Sequence, residues 1–294
     1  MSALTPMLYL GMDKVIEYRG VAPSRFLEDI AGSYRPAIVR GLVNHWPAVR
    51  AARRSPEALC EYVLGVASSR QVDAVLLPPA ERGRLFYQPG LTRFNFVRNQ
   101  VTVAQVIEQL ARYSQFDAPP SVAIQSALID GCLPGFGAQN VAPGLPVDVH
   151  PRLWLGNTIT TPAHFDESYN LACVVAGARR FTLFPPEQVG NLYLGPLDFA
   201  PTPTPISLVN FLNPDYDAHP RFRAAQAAAQ VADLEPGDAL FIPTRWWHHV
   251  QSRGVLNMMV NYWWRDDRPL PDPGADFNAL LAALKALKVH QQRK

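Results

Sequence analysis

In His164-Phe165-Asp166 an imidazole and a carboxylate stand two positions apart. On a β-strand that spacing turns both side chains to the same face. A second imidazole follows 82 positions after Asp166, in Trp246-Trp247-His248-His249. Two histidines and one carboxylate on one side of a metal leave the other side open. That donor set suits non-haem Fe(II), which needs adjacent free positions for the molecules it activates. Zn²⁺ with three protein ligands and a water is a second candidate for the same set. A polar pair at a strand end is the plain alternative, and the tripeptide alone does not choose.

The flanking sequence supplies strands to carry these groups. From about Ser121 to Arg265 apolar runs follow one another: Val122–Ile129, Arg152–Thr160, Asn170–Ala176, Arg179–Phe184, Ala239–Ile242 and Leu256–Trp264. Gly177-Ala178, Pro185-Pro186 and Glu235-Pro236-Gly237-Asp238 read as turns between them. Many short strands with little helix between them predict an antiparallel sandwich or barrel. Residues 187–232 interrupt the series as a proline-rich insertion with one short helix at Phe222–Ala229. The first 120 residues mix helices and strands. Ser55-Pro56-Glu57 is a helix start, and Thr102 with Gln105 spells a capping box. Pro36–Leu42 and Val72–Leu77 have strand length. At the other end Asp276 opens a helix whose Phe277, Leu280, Leu281, Leu284 and Leu287 form one stripe. The stripe either packs on its own molecule or pairs two copies.

Composition narrows the function. The 294 residues are 48% apolar and 18% charged, which excludes a disordered chain. Lys+Arg 27 against Asp+Glu 25 leaves a net charge of +2, with no basic block for nucleic acid or a membrane surface. No apolar run reaches the roughly 20 residues of a membrane span, and the first residues lack a secretion-signal pattern. Three isolated cysteines, Cys60, Cys132 and Cys173, form no pair motif and suit a reducing cytoplasm.

The ordered set of motifs resembles a known family. Thr161-Pro162-Ala163-His164-Phe165-Asp166-Glu167, Asn170, Gly177-Ala178-Arg179-Arg180 and Leu183-Phe184-Pro185-Pro186 look like the cupin-like branch of the JmjC hydroxylases. That branch includes the asparaginyl hydroxylase acting on hypoxia-inducible factor. Pro236-Gly237-Asp238, Ile242-Pro243, Trp246-Trp247-His248 and Val260-Asn261-Tyr262-Trp263 continue the match, and Arg40-Gly41-Leu42 with Trp46-Pro47 resemble its opening strand and turn.

The resemblance implies a mainly β fold: a double-stranded β-helix, or cupin jelly roll, with an N-terminal α/β jacket and a C-terminal helix. On this reading residues 1–294 are one domain. The jacket is 1–120, the β core 121–265 with its insertion 187–232, and the tail 266–294. The resemblance also implies Fe(II) held by His164, Asp166 and His248. It implies 2-oxoglutarate as cosubstrate and O₂ as oxidant, with a C–H bond hydroxylated and succinate and CO₂ released. Thr161, Arg179, Asn170 and Asn261 fall on the family's cosubstrate positions, and Trp263 on the substrate side. His249 and Arg180 point to the opposite faces of their strands. Two departures stand out. The family's lysine is Arg179 here, and the run Ser121–Ser126 lacks the tyrosine that relatives supply, leaving Gln125 or Ser126 in its place. The substrate is a protein side chain or a small molecule, and pairing of two copies through the C-terminal helix is expected. A cupin enzyme that ignores 2-oxoglutarate, and a silent partner-binding module, are the alternatives.

Overall fold

The structure, a computed structural model, describes residues 9, 11–22, 25–146, 148–265 and 267–292. Twelve strands join in one hydrogen-bonded network. They are β1 (Asp13–Lys14), β2 (Ile16–Arg19), β3 (Ala37–Arg40), β4 (Gln71–Leu77), β5 (Val97–Thr102), β6 (Ser121–Leu128), β7 (Pro151–Gly156), β8 (Thr160–His164), β9 (Tyr169–Phe184), β10 (Gln230–Leu234), β11 (Ala239–Ile242) and β12 (Trp247–Trp264).

Two long antiparallel strands organise the rest. β9 and β12 pair along nearly their whole length, from Trp247↔Phe184 to Trp264↔Tyr169. Their first and second halves serve different sheets. The half of β9 before Gly177 pairs with β11, and the partner half of β12 with β7; the row continues to β3 and β2 on one side and to β6, β4 and β5 on the other. The half after Gly177 pairs with β10, and its β12 partner lies beside β8. This is the two-sheet β-helix that the motifs implied.

Gly177 makes the change of sheet possible. It was expected to end a strand, but β9 runs through it. Its φ is +70°, in the left-handed region, and a Cβ there would sit 2.2 Å from Asn257 Oδ1. A second expectation also fails: the run Arg152–Thr160 is not one strand. Gly156 lies so close to β6 that a Cβ would be 2.3 Å from the Val122 carbonyl. Asn157 then takes over the pairing by side chain, accepting from Val122 N at 2.9 Å and donating to Pro120 O at 2.9 Å. The chain turns there and β8 starts afresh at Thr160.

Three apolar layers follow from strand alternation. Between the sheets lie Ile38, Val174, Phe181, Leu183, Leu240 and Val250. Outside the large sheet, the helices Pro47–Arg54, Pro56–Leu64 and Val103–Tyr113 bury Trp46, Val49, Leu59, Val106 and Leu110. Ser55 Oγ accepts from Ala58 N, and the Thr102/Gln105 capping box forms on both sides, as expected. Outside the small sheet, the insertion and the C-terminal helix Ala275–Gln292 cover Phe165, Phe184 and Trp247. The stripe of that helix packs on its own molecule: Phe277 is fully buried, with its ring 5.0 Å from Phe165. Asp276 lies inside the first turn rather than capping it. The insertion is shorter than expected, since residues 230–232 belong to β10; its short helix is Phe222–Ala227. Among the described residues, no helix is long and apolar enough to cross a membrane.

Candidate metal centre

His164 ends β8 and faces His248 directly across the strand pair. Their ring centroids are 4.3 Å apart. Asp166 follows two residues on, on the same side. One donor atom from each of His164, Asp166 and His248 lies within 4.8 Å of the other two. Among the described residues this is the one group of three such side chains that could hold a metal ion.

Each imidazole is oriented by its own strand. His164 Nδ1 lies 2.9 Å from the carbonyl of Pro162, and His248 Nδ1 lies 3.0 Å from that of Trp246. An Nδ1 proton shared with a carbonyl leaves the Nε2 lone pair free for a metal. Burial, with the neighbouring His248, pushes the His164 pKa down to about 4 despite the opposing Asp166, so this ring is neutral at pH 7. Neutral nitrogen is the ligating form.

Asp166 is held just as firmly. Its Oδ2 accepts from the Trp263 indole N–H at 3.0 Å and from Asn170 Nδ2 at 3.1 Å. The Asn170 Oδ1 accepts from Asn261 Nδ2 at 3.2 Å, and Asn261 Oδ1 accepts from the Trp154 indole N–H at 2.8 Å. A row of four side chains, from β7, β9 and β12, thus fixes one carboxylate oxygen. Asn170 and Asn261, expected to touch cosubstrate, each use both ends of the amide on this row. Trp154 was not singled out as a site residue: an indole in a β core is ordinarily packing, and its spacing carries no signal.

A bulge brings Thr161 to the same side. Thr161 pairs with Val250 and His164 with His248, so three steps on β8 match two on β12. The extra residue falls at Pro162-Ala163, where proline has no N–H to lose. His249 takes the other face, its ring 4.8 Å from Phe211. Arg180 does the same, gripping Asp233 at 2.6 and 2.7 Å.

All eight expected residues line one cavity of about 410 Å³ between the sheets. Arg179 is buried there, 9% exposed, with its Nε unpartnered and no ion pair among the described residues. Burial lowers its pKa to about 10, so it remains a cation at neutral pH. A buried cation with no acid beside it calls for an anion from the cavity. Gln125 and Ser126 also line the wall, with Ser126 at φ +54°. Asp73 and Arg98, from the jacket strands β4 and β5, were missed: they lie far from every motif in the chain. They form an ion pair at the cavity wall. Arg98 Nη2 also donates to Pro201 O at 2.8 Å, tying down the stretch Ala200–Pro203 of the insertion that lines the cavity.

The donor set therefore fits Fe(II), and the free cation fits an acidic cosubstrate. Comparison with known proteins gives the family. The chain is 24% identical over 237 residues to the protein named lysine-specific demethylase 8 of Xenopus tropicalis, covering 78% of this chain and 48% of the relative. It is 27% identical over 241 residues to Jumonji C domain-containing protein 5 of Drosophila melanogaster, covering 78% and 54%. A 114-residue stretch is 40% identical to human HSPB1-associated protein 1, covering 38% of this chain and 22% of that one. The chain spans about half the length of the first two relatives. The family of cupin-like domains matches residues 23–268. With that match over most of its length, its two-sheet β fold and its His-Asp-His group, the chain belongs to the cupin-like, JmjC-type domain family.

Proposed function

We propose that the chain is an Fe(II)- and 2-oxoglutarate-dependent oxygenase that hydroxylates a protein side chain or a small molecule, releasing succinate and CO₂. The observation that carries this reading is one cavity holding both halves of the requirement. It has a facial triad on one wall and a buried, unpaired Arg179 on another. In the proposal His164, Asp166 and His248 hold iron. Arg179, with Thr161, takes the far carboxylate of 2-oxoglutarate as a charge-assisted pair. When bound, the iron and 2-oxoglutarate together supply the O₂ activation that the protein's own groups cannot.

This chain's residues do the positioning. The Trp263 and Asn170 donors hold Oδ2 of Asp166, 3.7 Å from His248 Nε2, and so fix the carboxylate that would hold the metal. Trp154 and Asn261 keep that row in register. Phe181, Val250 and Met259 keep the wall apolar. The tied stretch Ala200–Pro203 limits water and sets the shape of what enters. A cytoplasmic enzyme is part of the same reading. So is a homodimer, for which the C-terminal helix offers the 41%-exposed Val289.

The test is anaerobic loading with Fe(II), then titration with 2-oxoglutarate while the visible spectrum is recorded. The expected result is a weak charge-transfer band that grows and saturates. Iron binding without the band would overturn the cosubstrate assignment and favour a cupin enzyme that ignores 2-oxoglutarate. Absence of iron binding would overturn the triad.

A further inference from the structure

A second opening, of about 450 Å³, lies behind the metal ligands. It sits between the C-terminal helix and the turn that precedes β12. Leu270 and Leu281 are its apolar lining, and Arg245, Arg265, Lys285 and Lys288 are its cations. Among the described residues, the acid lining it is Glu167. Glu167 is already engaged, by Lys288 at 2.9 and 3.1 Å and by Arg265 at 3.6 Å. Arg245 and Lys285 form no ion pair among the described residues. The chain as a whole carries a net charge of only +2, so this excess is local.

Two further observations set the cleft apart from ordinary solvated surface. Arg245 has φ +70°, a left-handed conformation that glycine or asparagine would adopt at lower cost. The backbone at this turn is also bonded to the metal-ligand segment. Arg245 N donates to Asp166 O at 2.8 Å, and Thr244 Oγ1 lies 3.3 Å from the same oxygen. Asp166 lines the cavity and Glu167 lines the cleft, so the two openings meet at the loop between β8 and β9.

We propose that this cleft docks an acidic segment of a protein partner, the substrate itself in the first place, with its carboxylates on Arg245 and Lys285 and an apolar side chain on Leu270 and Leu281. The proposal rests on the oxygenase reading for the word substrate. The docking itself does not, because the cleft is complete without metal. Charge complementarity selects the occupant: a strip of carboxylates offers the anions, and a flanking apolar residue fills the apolar lining.

The experiment is fluorescence anisotropy on the full chain, without metal, using a dye-labelled peptide of alternating glutamate and leucine. A single-stranded oligonucleotide of equal charge serves as the competitor class. Binding of the peptide that weakens about tenfold in the double variant Arg245→Gln/Lys285→Gln is expected, the size of two solvent-accessible ion pairs. Arg54→Gln/Arg112→Gln, distant on the jacket helices, should leave it unchanged. Equal loss in both variants would reduce the effect to net charge and overturn the site. So would tighter binding of the oligonucleotide than of the peptide through the same two residues. Thermal melts of each variant exclude unfolding as the cause, and Lys285→Gln alone, on an exposed helix position, should show part of the loss. Failure here with an intact charge-transfer band removes the cleft and keeps the oxygenase. Peptide binding without the band does the reverse.

Discussion

Replacing Arg179 by methionine should raise stability and destroy cosubstrate affinity together. The side chain is buried without an acid, and burial lowers its pKa to about 10. That fall from its ordinary value corresponds to about 3 kcal/mol of penalty on the charged form. A depressed cationic pKa means the cost is in full force below about 10 and is relieved only as pH rises through it. At pH 7 the folded protein therefore carries the whole penalty. Methionine has similar length and no charge. If relaxation leaves about half the penalty to be recovered, the gain is about 1.5 kcal/mol, or about 3 °C in Tm for a chain of this size. On the proposed pairing the same change would remove two charge-assisted hydrogen bonds to the cosubstrate's carboxylate, about 3 kcal/mol or about a hundredfold in Kd. With Fe(II) in the absence of air, 2-oxoglutarate at about 100 times the wild-type Kd should stabilise the wild type by about 2.7 kcal/mol. The variant would then sit near its own Kd and gain only about 0.4 kcal/mol. Scanning fluorimetry with and without 2-oxoglutarate reads both effects. A fall in Tm without ligand would mean that Arg179 is a structural anchor, and an unchanged ligand shift would place the carboxylate elsewhere. Either result refutes the reasoning.

The other expectations concern the groups around it. His164→Ala or Asp166→Ala should abolish tight iron binding by calorimetry while the far-UV spectrum stays native; retained stoichiometric iron would remove that residue from the ligand set. Trp263→Phe deletes one donor to Asp166 Oδ2 and should weaken iron by roughly tenfold to a hundredfold, whereas a change confined to substrate KM would give Trp263 a substrate role instead. Gly177→Ala puts a Cβ 2.2 Å from Asn257 Oδ1 at a φ of +70°, and a loss of about 2–4 kcal/mol in denaturant melts is expected. Phe277→Ala opens a gap beside Phe165 and Trp247, costing about 3–5 kcal/mol. Phe165 lies between His164 and Asp166, the proposed ligands, so iron affinity should fall with it.

Much of the fold and the triad was legible because its signals are local. The Ser55 and Thr102/Gln105 caps, most of the apolar runs and the His-x-Asp spacing are read within a few residues, and the structure realises them. What escaped depends on distant partners. The expected run Arg152–Thr160 reads through the break after Gly156 and stops short of the strand Thr160–His164, because that break is set by the approach of β6, not by the local sequence. The apolar run was expected from Leu256 and His248 at a strand end, whereas β12 runs unbroken from Trp247 to Trp264; the largely polar stretch 248–253 joins it because β8 and β9 flank it. The roles of Trp154 and Asn261 in holding Asp166 arise from a row of contacts across three strands. Asp73 and Arg98 reach the cavity only because β4 and β5 extend the large sheet.

The pairing of β3 with β11 has a consequence for synthesis. Val39 bonds opposite Ala239, 200 positions later, and Arg40 grips Asp238 at 2.6 Å. At a ribosomal pace of about 5–20 residues per second, the strand Ala37–Arg40 waits roughly 10–40 s for its neighbour to emerge. Over that interval three buried apolar residues, Ala37, Ile38 and Val39, have no sheet to join on that side. A nascent chain of this topology therefore depends on being shielded until its last third is made, and pulse-labelled nascent chains arrested before residue 239 should be far more protease-sensitive than those arrested after 264.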